Sequence, residues 1–247
     1  MPEKIKKGIS MDLPETYFLN NPVFLKYKRV FDWRRFRKVS RLKKVMINER
    51  IIEIPYAIQA VSDLAKGSTI LDLGCMESML SLFMASLGFQ VTGLDFREYP
   101  YRVPNFKFQQ GDILKLPFSD HSFDAALCVS MIEHVGLGFY HDPQSEMEAD
   151  EKGVLEIHRI LKPKGRFVLT VPFGQPYVND QQRTYDKPRL DRLLRKFKVE
   201  DMRFFKNVLP SGQENNCWQE TALDDAQKVK TPRGTDCVCC VRAIKIA

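Results

Sequence analysis

Three aspartates follow three short apolar runs of the chain, and carboxylates in such positions can bind hydroxyl and amino groups. Asp72 and Asp95 end the first and second runs, and Asp112 comes just after the third. A single one of them is typical of a turn or strand-end cap. Because the carboxyl ends of parallel strands meet at one edge of a sheet, three in succession favour a nucleoside site. We expect Asp95 to accept from both ribose hydroxyls and Asp112 to accept from an adenine amino group.

These residues need a sheet to position them, and the pattern from residue 69 onward predicts one. Short apolar runs alternate with helical periodicity, which is typical of βαβ units and a parallel sheet. Strands are predicted at Thr69–Leu73, Gln90–Leu94, Phe106–Gln109, Phe123–Val129, Arg166–Val171, Val199–Asn207 and Cys237–Ile246. Helices are predicted at Ser78–Leu87, Glu146–Leu161 and Lys187–Phe197. The expected fold class is therefore α/β, with a doubly wound sheet that binds ligands at its strand ends.

The composition is that of an ordinary globular protein. The chain has 247 residues, of which 44% are hydrophobic and 28% charged, so wholesale disorder is excluded. No apolar run is long enough for a transmembrane helix, and no apolar stretch near the N-terminus resembles a secretory signal. We expect a cytoplasmic location and six cysteines present as thiols. Cys237, Cys239 and Cys240 match no zinc-binding spacing, and we expect them to pack inside the last strand.

The loop after the first strand distinguishes between nucleoside ligands. A dinucleotide site uses Gly-x-Gly-x-x-Gly to place a pyrophosphate on a helix N-terminus, whereas Gly74–Met79 reads Gly-Cys-Met-Glu-Ser-Met. Glu77 would repel a pyrophosphate, and Met76 would crowd it. A cationic ligand without phosphate suits this loop better, and S-adenosylmethionine is such a ligand.

Five segments in order resemble the motifs of class I S-adenosylmethionine-dependent methyltransferases, over roughly residues 50–205. They are Ile70–Gly74, Gly93–Asp95, Gly111–Ile113, Phe123–Val135 and Glu156–Gly165. Gly74–Ser78 and Ile132–Gly138 also resemble a less characterised branch of this family. Met76 and Ser78 replace the usual second and third loop glycines. The resemblance implies a Rossmann-like sheet of seven strands, mostly parallel with an antiparallel last strand, and an N-terminal helical cap.

The resemblance also implies a set of site residues and a cofactor, S-adenosyl-L-methionine. The residues expected to bind the cofactor are Asp72, Gly74, Cys75, Asp95, Phe96, Asp112, Ile113 and Ser130. The segment from Ser130 to His134 follows the fourth strand and is expected to line the methyl-transfer pocket. His134 is the candidate base, since imidazole titrates near neutral pH. The alternative is that His134 begins a helix and bonds to the backbone.

Three further features have competing interpretations. Glu133 and His134, with His141 and Asp142, resemble the metal site of certain RNA-ribose methyltransferases, but Ser130 stands where that pattern has a glutamate, which argues against a metal. Residues 136–150 are either a loop that closes over substrate or a surface loop. Arg183 and Tyr185 are expected to bind an acceptor oxygen, while Tyr185 is alternatively a core aromatic with a satisfied hydroxyl.

The basic charge is concentrated at the N-terminus. The first 50 residues hold 14 Lys and Arg and 5 Asp and Glu, more than enough to account for the net charge of +7. We expect a basic cap or extension over residues 1–55 and a methyltransferase domain over 56–247. Val23–Met46 mixes aromatic and basic residues, and three roles are ranked in order: a cap over the cofactor, a phosphate-binding surface, and peripheral contact with an anionic membrane.

The expected function is methyl transfer from S-adenosylmethionine to an oxygen of a small molecule or glycan precursor. One alternative is an RNA or protein methyltransferase recruited by the basic segment, although nucleic acid is the less favoured partner. Another is a regulator that binds a nucleoside without catalysis. Binding is favoured in each case by Asp72, Gly74, Asp95 and Asp112, whereas only His134 and the pocket loop argue for turnover.

Overall fold

An eight-stranded sheet lies at the centre of the described residues, which in this computed structural model are 47–99, 101–138, 148–209, 216–230 and 235–246. Its strands are β1 (Thr69–Leu73), β2 (Gln90–Asp95), β3 (Phe106–Gln110), β4 (Phe123–Val129), β5 (Leu161–Pro172), β8 (Phe197–Asn207), β9 (Trp218–Thr221) and β10 (Cys237–Lys245). A separate two-stranded sheet is formed by β6 (Tyr177–Val178) and β7 (Arg183–Thr184).

The strand order in the main sheet is β3-β2-β1-β4-β5-β10-β8-β9. The five strands from β3 to β5 are parallel, whereas β10 runs antiparallel to both β5 and β8, and β9 runs antiparallel to β8. The chain leaves β1 towards β2 and β3 on one side and returns to β4 on the other. A crevice between the carboxyl ends of β1 and β4 is the usual ligand position in such a sheet.

Helices cover the sheet on both faces. They are α1 (Arg50–Val61), α2 (Leu80–Ser86), α3 (Ala149–Ile160), α4 (Lys187–Leu193) and α5 (Leu223–Ala226). Short 3-10 turns follow β1 at Cys75–Glu77 and β4 at Ile132–His134. The side chain of Asp186 caps α4 by accepting a hydrogen bond from the Arg189 N–H, with a proline in the first turn of that helix.

Successive side chains of β1 and β4 point to opposite faces of the sheet, and each face has its own hydrophobic core. Leu71 and Leu73 pack with residues of α3 and α4, whereas Ile70 packs with α1 and α2. Leu127 of β4 belongs to the second core, and its neighbour Cys128 belongs to the first. Strands buried on both faces explain why these runs are almost entirely apolar in the sequence.

The predicted α/β fold with an antiparallel last strand is confirmed. The main sheet holds one strand more than predicted, because the short and mostly polar β9 pairs with β8; neither β9 nor the β6–β7 hairpin was predicted. All six cysteines are free, and Cys237 and Cys239 pack on one face of β10 with Cys240 on the other, as predicted.

The N-terminal helical cap, with the aromatic and basic segment Val23–Met46, lies outside the described residues, as do His141 and Asp142. Helix α1 crosses the predicted boundary between residues 55 and 56, and its Tyr56 and Ala57 are part of the core beside β1 and β4. The division into cap and domain stays a prediction. No helix among the described residues is both long and apolar enough to span a bilayer.

Candidate functional site

The loop after β1 turns at Gly74, whose backbone is left-handed with φ of 73°. A Cβ atom at this position would lie 2.5 Å from Cγ of Met131, which follows β4. The Gly74 N–H donates to the carbonyl of Leu94 in β2 at 2.8 Å. The left-handed backbone and the close approach of Met131 both disfavour a Cβ atom, so only glycine fits here without strain. Gly74 therefore lets the loop after β1 lie close to β2 and to the segment after β4.

Asp95 at the end of β2 holds this loop in place. Its Oδ2 atom accepts from the Met76 N–H at 3.1 Å, and its Oδ1 atom accepts from the N–H and Nε of Arg97 at 3.0 and 3.2 Å. The side chain is 7% exposed. A carboxylate with about four lone-pair positions can accept one further hydrogen bond beside these three. Asp95 therefore lies where the sequence predicted a ribose-binding carboxylate, and it also shapes the loop.

Asp112 and Ile113 follow β3, beside the end of β2. The Oδ1 atom of Asp112 accepts from the Leu114 N–H at 2.8 Å, and Ile113 is buried in the core. The Phe96 side chain is 42% exposed, while its backbone carbonyl accepts from Nε2 of Gln110 at 2.6 Å. These residues place an aromatic side chain and a carboxylate at neighbouring strand ends, which suits the stacking and hydrogen bonding of a base.

Asp72 and Cys75 lie deeper than the other predicted cofactor residues. Asp72 is 2% exposed, and its Oδ2 atom accepts from the Ser81 hydroxyl of α2 at 2.5 Å. Burial raises the pKa of Asp72 to about 6. Cys75 is buried against Tyr99 in a small apolar cluster. The visible interactions of both residues therefore support the loop and α2, and cofactor contact by either one stays a prediction.

Ser130 marks the carboxyl end of β4. Its φ of 42° is left-handed, which is unfavourable for a side-chain-bearing residue. Its N–H donates to the carbonyl and to Oγ1 of Thr170 in β5, at 3.1 and 3.0 Å. Its hydroxyl donates to Oε1 of Glu53 at 2.5 Å. Arg50 of α1 donates through Nη1 to the Val129 carbonyl at 2.7 Å. Helix α1 is thus bonded directly to the end of β4.

Glu53 and Glu133 are two buried acids at this site; Glu133 belongs to the segment that the sequence placed in the pocket, whereas the sequence did not assign Glu53 to it. They are 0% and 1% exposed. Burial raises the pKa of Glu53 to about 7 and that of Glu133 to about 8. Helical spacing contained a signal for Glu53, because it shares the inward face of α1 with Tyr56, Ala57 and Ala60. An acid on that face predicts a buried carboxyl group.

His134 ends the turn after β4 and contacts the β6–β7 hairpin. Its Nδ1 atom lies 2.5 Å from the carbonyl oxygen of Gln181, and its Nε2 atom lies 3.8 Å from Oε1 of Glu133. Because a carbonyl can only accept, this contact assigns the proton of the neutral ring to Nδ1 and the lone pair to Nε2. That tautomer is suited to accepting a proton at Nε2. The sequence offered two roles for His134, a catalytic base or a residue bonded to the backbone. The bond to the Gln181 carbonyl agrees with the second role and is compatible with the first.

Arg183 and Tyr185 are both buried near this turn. Nη1 of Arg183 donates to the carbonyls of Glu133 and Val135 at 3.3 and 2.5 Å. The Tyr185 hydroxyl donates to Oδ2 of Asp150 at 2.9 Å, and burial raises its pKa well above the ordinary value. The exposed fractions are 1% and 0%. This geometry favours the alternative of a core aromatic for Tyr185 and gives Arg183 a role in holding the turn; acceptor binding by either stays a prediction.

The described residues contain no group of three or more His, Cys, Asp and Glu side chains arranged to hold a metal ion. Ser130, which occupies the place of the first glutamate of the metal pattern, donates its hydroxyl to Glu53 instead. Glu133 is buried beside Ser130, and the partly exposed ring of His134 lies 3.8 Å from its Oε1 atom.

Residues 71–169 match a family described as a methyltransferase domain. A demethylmenaquinone methyltransferase of Desulfitobacterium hafniense is 37% identical over 135 residues, which are 49% of this chain and 47% of the relative. A ubiquinone biosynthesis O-methyltransferase of Pseudomonas paraeruginosa is 32% identical over 114 residues, 42% of this chain and 44% of the relative. The chain thus aligns with about half the length of these relatives.

The fold has a solved counterpart in the 1,6-didemethyltoxoflavin-N1-methyltransferase of Burkholderia thailandensis, whose structure contains 1,6-didemethyltoxoflavin and S-adenosylhomocysteine. The TM-score is 0.56 at 20% identity, over 79% of each chain. Residues 71–169 therefore form a methyltransferase domain with the class I Rossmann-like fold, and the resemblance stated from the sequence is confirmed.

Proposed function

We propose that this protein transfers the methyl group of S-adenosylmethionine to an oxygen atom of a small molecule or glycan precursor. The observation that carries the proposal is the arrangement around Asp95. Its carboxylate fixes the loop after β1 through the Met76 N–H, next to the exposed side chain of Phe96 and at the strand ends where this class of sheet binds ligands. The methyltransferase domain over residues 71–169 supports the same cofactor.

The residues present fit this cofactor. Asp95 offers a remaining acceptor position for a ribose hydroxyl, and Phe96 offers a ring for the adenine. The close approach of Gly74 to Met131 brings the loop after β1 and the end of β4 to the same place. S-adenosylmethionine supplies an electrophilic methyl group on a positively charged sulfur. The chain itself must align the acceptor, keep water out and take up the proton of a hydroxyl acceptor.

His134 is the residue proposed to accept that proton. The Gln181 carbonyl holds the proton of the neutral ring on Nδ1, which makes Nε2 the nitrogen that would take up the proton of the acceptor hydroxyl. The ring also lies next to Glu133, whose ionised form would stabilise an imidazolium. A hydroxyl acceptor needs such a base, whereas an amine that is neutral when bound needs alignment alone.

The acceptor class is supported by the relatives. One of the two similar proteins is named a demethylmenaquinone methyltransferase, and the other is named a ubiquinone biosynthesis O-methyltransferase. We infer a small acceptor with a nucleophilic oxygen for this chain. The named relatives and this chain share only part of their length, so the acceptor must be identified by experiment.

A transfer assay with S-adenosylmethionine labelled in its methyl group tests the proposal. The purified protein would be incubated with pools of small metabolites, glycans and RNA, and labelled products identified by mass spectrometry. We expect label in a small molecule, and less of it with the Asp95→Ala variant at a limiting concentration of S-adenosylmethionine. Label in RNA would replace the acceptor class with the alternative of an RNA methyltransferase. A folded protein that binds no S-adenosylmethionine in calorimetry would overturn the proposal as a whole.

A further inference from the structure

Two buried carboxyl groups lie beside the proposed site, and neither has been assigned a part in binding the cofactor. Glu53 reaches the end of β4 from α1, and Glu133 belongs to the turn that follows β4. The hydroxyl of Ser130 donates to Glu53 at 2.5 Å and also interacts with the Glu133 carboxyl. Ser130 therefore joins two acids that are 80 positions apart in the sequence. Such a pair, away from water, needs a compensating charge or a proton.

One oxygen of each acid lacks a hydrogen bond. Oε2 of Glu53 and Oε2 of Glu133 are buried, and neither accepts a hydrogen bond from the described residues. Buried carboxylate oxygens are ordinarily bonded, so these two atoms require an explanation. They mark a place where a positively charged group would be stabilised.

The surroundings supply two nearby cations, Arg50 and Arg183, and Arg183 donates through Nη1 to the backbone carbonyl of Glu133 at 3.3 Å. Nη1 of Arg50 lies 3.5 Å from Oε2 of Glu53, but it also donates to the Val129 carbonyl. Glu49 adds a negative charge near both acids, and His134 faces Glu133 across 3.8 Å. The other titratable or polar side chains near the pair, from the neighbouring strands and turns, are Cys128, Thr170, Tyr185 and Cys240. Burial raises the pKa of both glutamates, to about 7 and about 8, so the pair holds a proton at neutral pH.

We propose that Glu53 and Glu133, joined through Ser130, are the counter-charge for the cationic methionine end of S-adenosylmethionine, and that the pair releases a proton when this cofactor binds. The inference rests on the proposed function. Ser130 is adjacent to Met131, and Met131 closely approaches Gly74 of the loop after β1. A cofactor between that loop and the end of β4 would place its ammonium and sulfonium charges next to the pair. On binding, one carboxyl O–H bond breaks, the proton passes to solvent, and the carboxylate remains facing the cation.

The sign of the effect follows from linkage. A nearby cation favours the ionised form of a carboxyl group and lowers its pKa. At a pH between the bound and free values, binding therefore releases protons, and affinity rises with pH. For one proton, the dissociation constant falls by up to about tenfold per pH unit from about pH 6 to pH 8, and it levels off where both acids are already ionised.

Calorimetric titration of the full chain with S-adenosylmethionine, at pH 7.5 in phosphate and in Tris, measures the protons released. The wild type is compared with Glu133→Gln and Glu53→Gln, which keep the side-chain shape but remove the titration. Glu220→Gln serves as the matched control, because Glu220 pairs with Arg203 at the exposed edge of the sheet. The cofactor's own amino group titrates in a similar range, so the difference between wild type and variants is the quantity that reports on the pair.

We expect the wild type and Glu220→Gln to release about one proton more than either glutamine variant, and the pH dependence of affinity to flatten in both variants. Thermal melting establishes that each variant is folded, and one folded glutamine variant is sufficient for the comparison. If both fail to fold, Ser130→Ala takes their place, because it breaks the link between the acids and should reduce the proton release.

Equal proton release by wild type and the folded variants would overturn this inference while leaving the proposed function intact. A wild-type affinity that stays constant from pH 6 to pH 9 would overturn the inference in the same way. A folded wild-type protein that binds no S-adenosylmethionine would overturn the proposed function, and the inference with it. The two failures are thus distinguished by whether the cofactor binds at all.

Discussion

The two central strands, β1 and β4, both end in a residue with left-handed backbone, but they do so in different ways. After β1 the residue is Gly74, with φ of 73°, which adopts this conformation without strain. After β4 it is Ser130, with φ of 42°, which requires support from its surroundings. That support comes from Glu53 in α1 and Thr170 in β5.

This difference extends to the rest of each region. On the β1 side, Asp95 accepts from N–H groups 2 and 19 positions away and Asp112 from one 2 positions away, and the Phe96 side chain is partly exposed. On the β4 side, Arg183 and Glu53 are buried and bond to residues 48 and 77 positions away. Hydrogen bonds between residues at most about 20 positions apart hold the β1 side, where we place the nucleoside end of the cofactor. Contacts over longer separations hold the β4 side, where the acid pair would face the methionine end of the cofactor and His134 would face the acceptor.

The largest expected effect concerns His134, on the β4 side. If its Nε2 atom takes the acceptor proton, His134→Ala should lower turnover by about 10²–10⁴-fold, the usual contribution of a positioned base. Cofactor affinity should stay within about twofold, because the variant leaves Asp95 and both acids of the Glu53–Glu133 pair in place. Single-turnover rates on an identified hydroxyl acceptor, together with calorimetry, measure both quantities. Near-wild-type turnover by the variant would leave His134 as a residue that fixes the turn.

The second prediction concerns Asp95, on the β1 side. Asp95→Ala should weaken S-adenosylmethionine binding by about 1.5–3 kcal/mol, because it removes a charged acceptor and also frees the Met76 N–H. Calorimetry on folded protein checks the loss, and NAD serves as a competitor that should not displace the cofactor. Glu220→Gln is a suitable control on the exposed sheet edge. Unchanged affinity would remove Asp95 from the site, and tight NAD binding would contradict the interpretation of the loop.

The contrast between the two regions explains how much of the site the sequence could predict. Gly74, Asp95 and Asp112 are recognisable because their positions depend on strand ends and short loops, which periodicity and glycine locate. Glu53 was not assigned to the site, since its partner Ser130 lies 77 positions away, and pairing over that distance is set by packing. Packing over long separations also explains Arg183 and Tyr185. Their residue types suggested contact with an acceptor, whereas in the fold they bond to the Val135 carbonyl and to Asp150. Strand β9 was not predicted because four mostly polar residues form a strand only by pairing with β8.

A third prediction separates structure from catalysis at Tyr185. Tyr185→Phe removes the hydrogen bond to Asp150 and leaves that buried acid with Arg189, so unfolding free energy should fall by about 1–3 kcal/mol. Turnover should be unchanged if the hydroxyl is structural. Chemical denaturation and a transfer assay measure the two effects. Tyr177→Phe, at an exposed position, is the control and should change stability by less than about 0.5 kcal/mol. A large loss of turnover at unchanged stability would instead support the acceptor-binding prediction.

The fourth prediction concerns stability against pH and depends on Glu133. Its pKa is about 8 in the folded chain and near 4.5 in the unfolded one, so the folded state retains a proton that the unfolded state releases. Stability from this group is therefore present below about pH 4.5 and is lost as pH rises towards 8, with a slope of at most about 1.4 kcal/mol per pH unit. Urea unfolding of wild type and Glu133→Gln between pH 5 and pH 8 isolates the contribution. Parallel pH profiles would show that Glu133 is ionised in the folded protein.

The smallest expected effect tests the contrast between Gly74 and Ser130 directly. Ser130→Ala and Ser130→Gly both lose the hydroxyl bonded to Glu53, but only glycine also relieves the left-handed strain. Glycine increases the entropy of the unfolded chain, which offsets part of that relief. We expect Ser130→Gly to be more stable than Ser130→Ala by about 1 kcal/mol in denaturant unfolding.

At position 74 alanine should be less stable than glycine, because Gly74→Ala adds backbone strain and places a Cβ 2.5 Å from Met131. Equal stability of the two Ser130 variants would mean that the turn after β4 relaxes once the hydroxyl is gone. The left-handed conformation of Ser130 would then be a consequence of its bond to Glu53, and the acid would determine the shape of the turn.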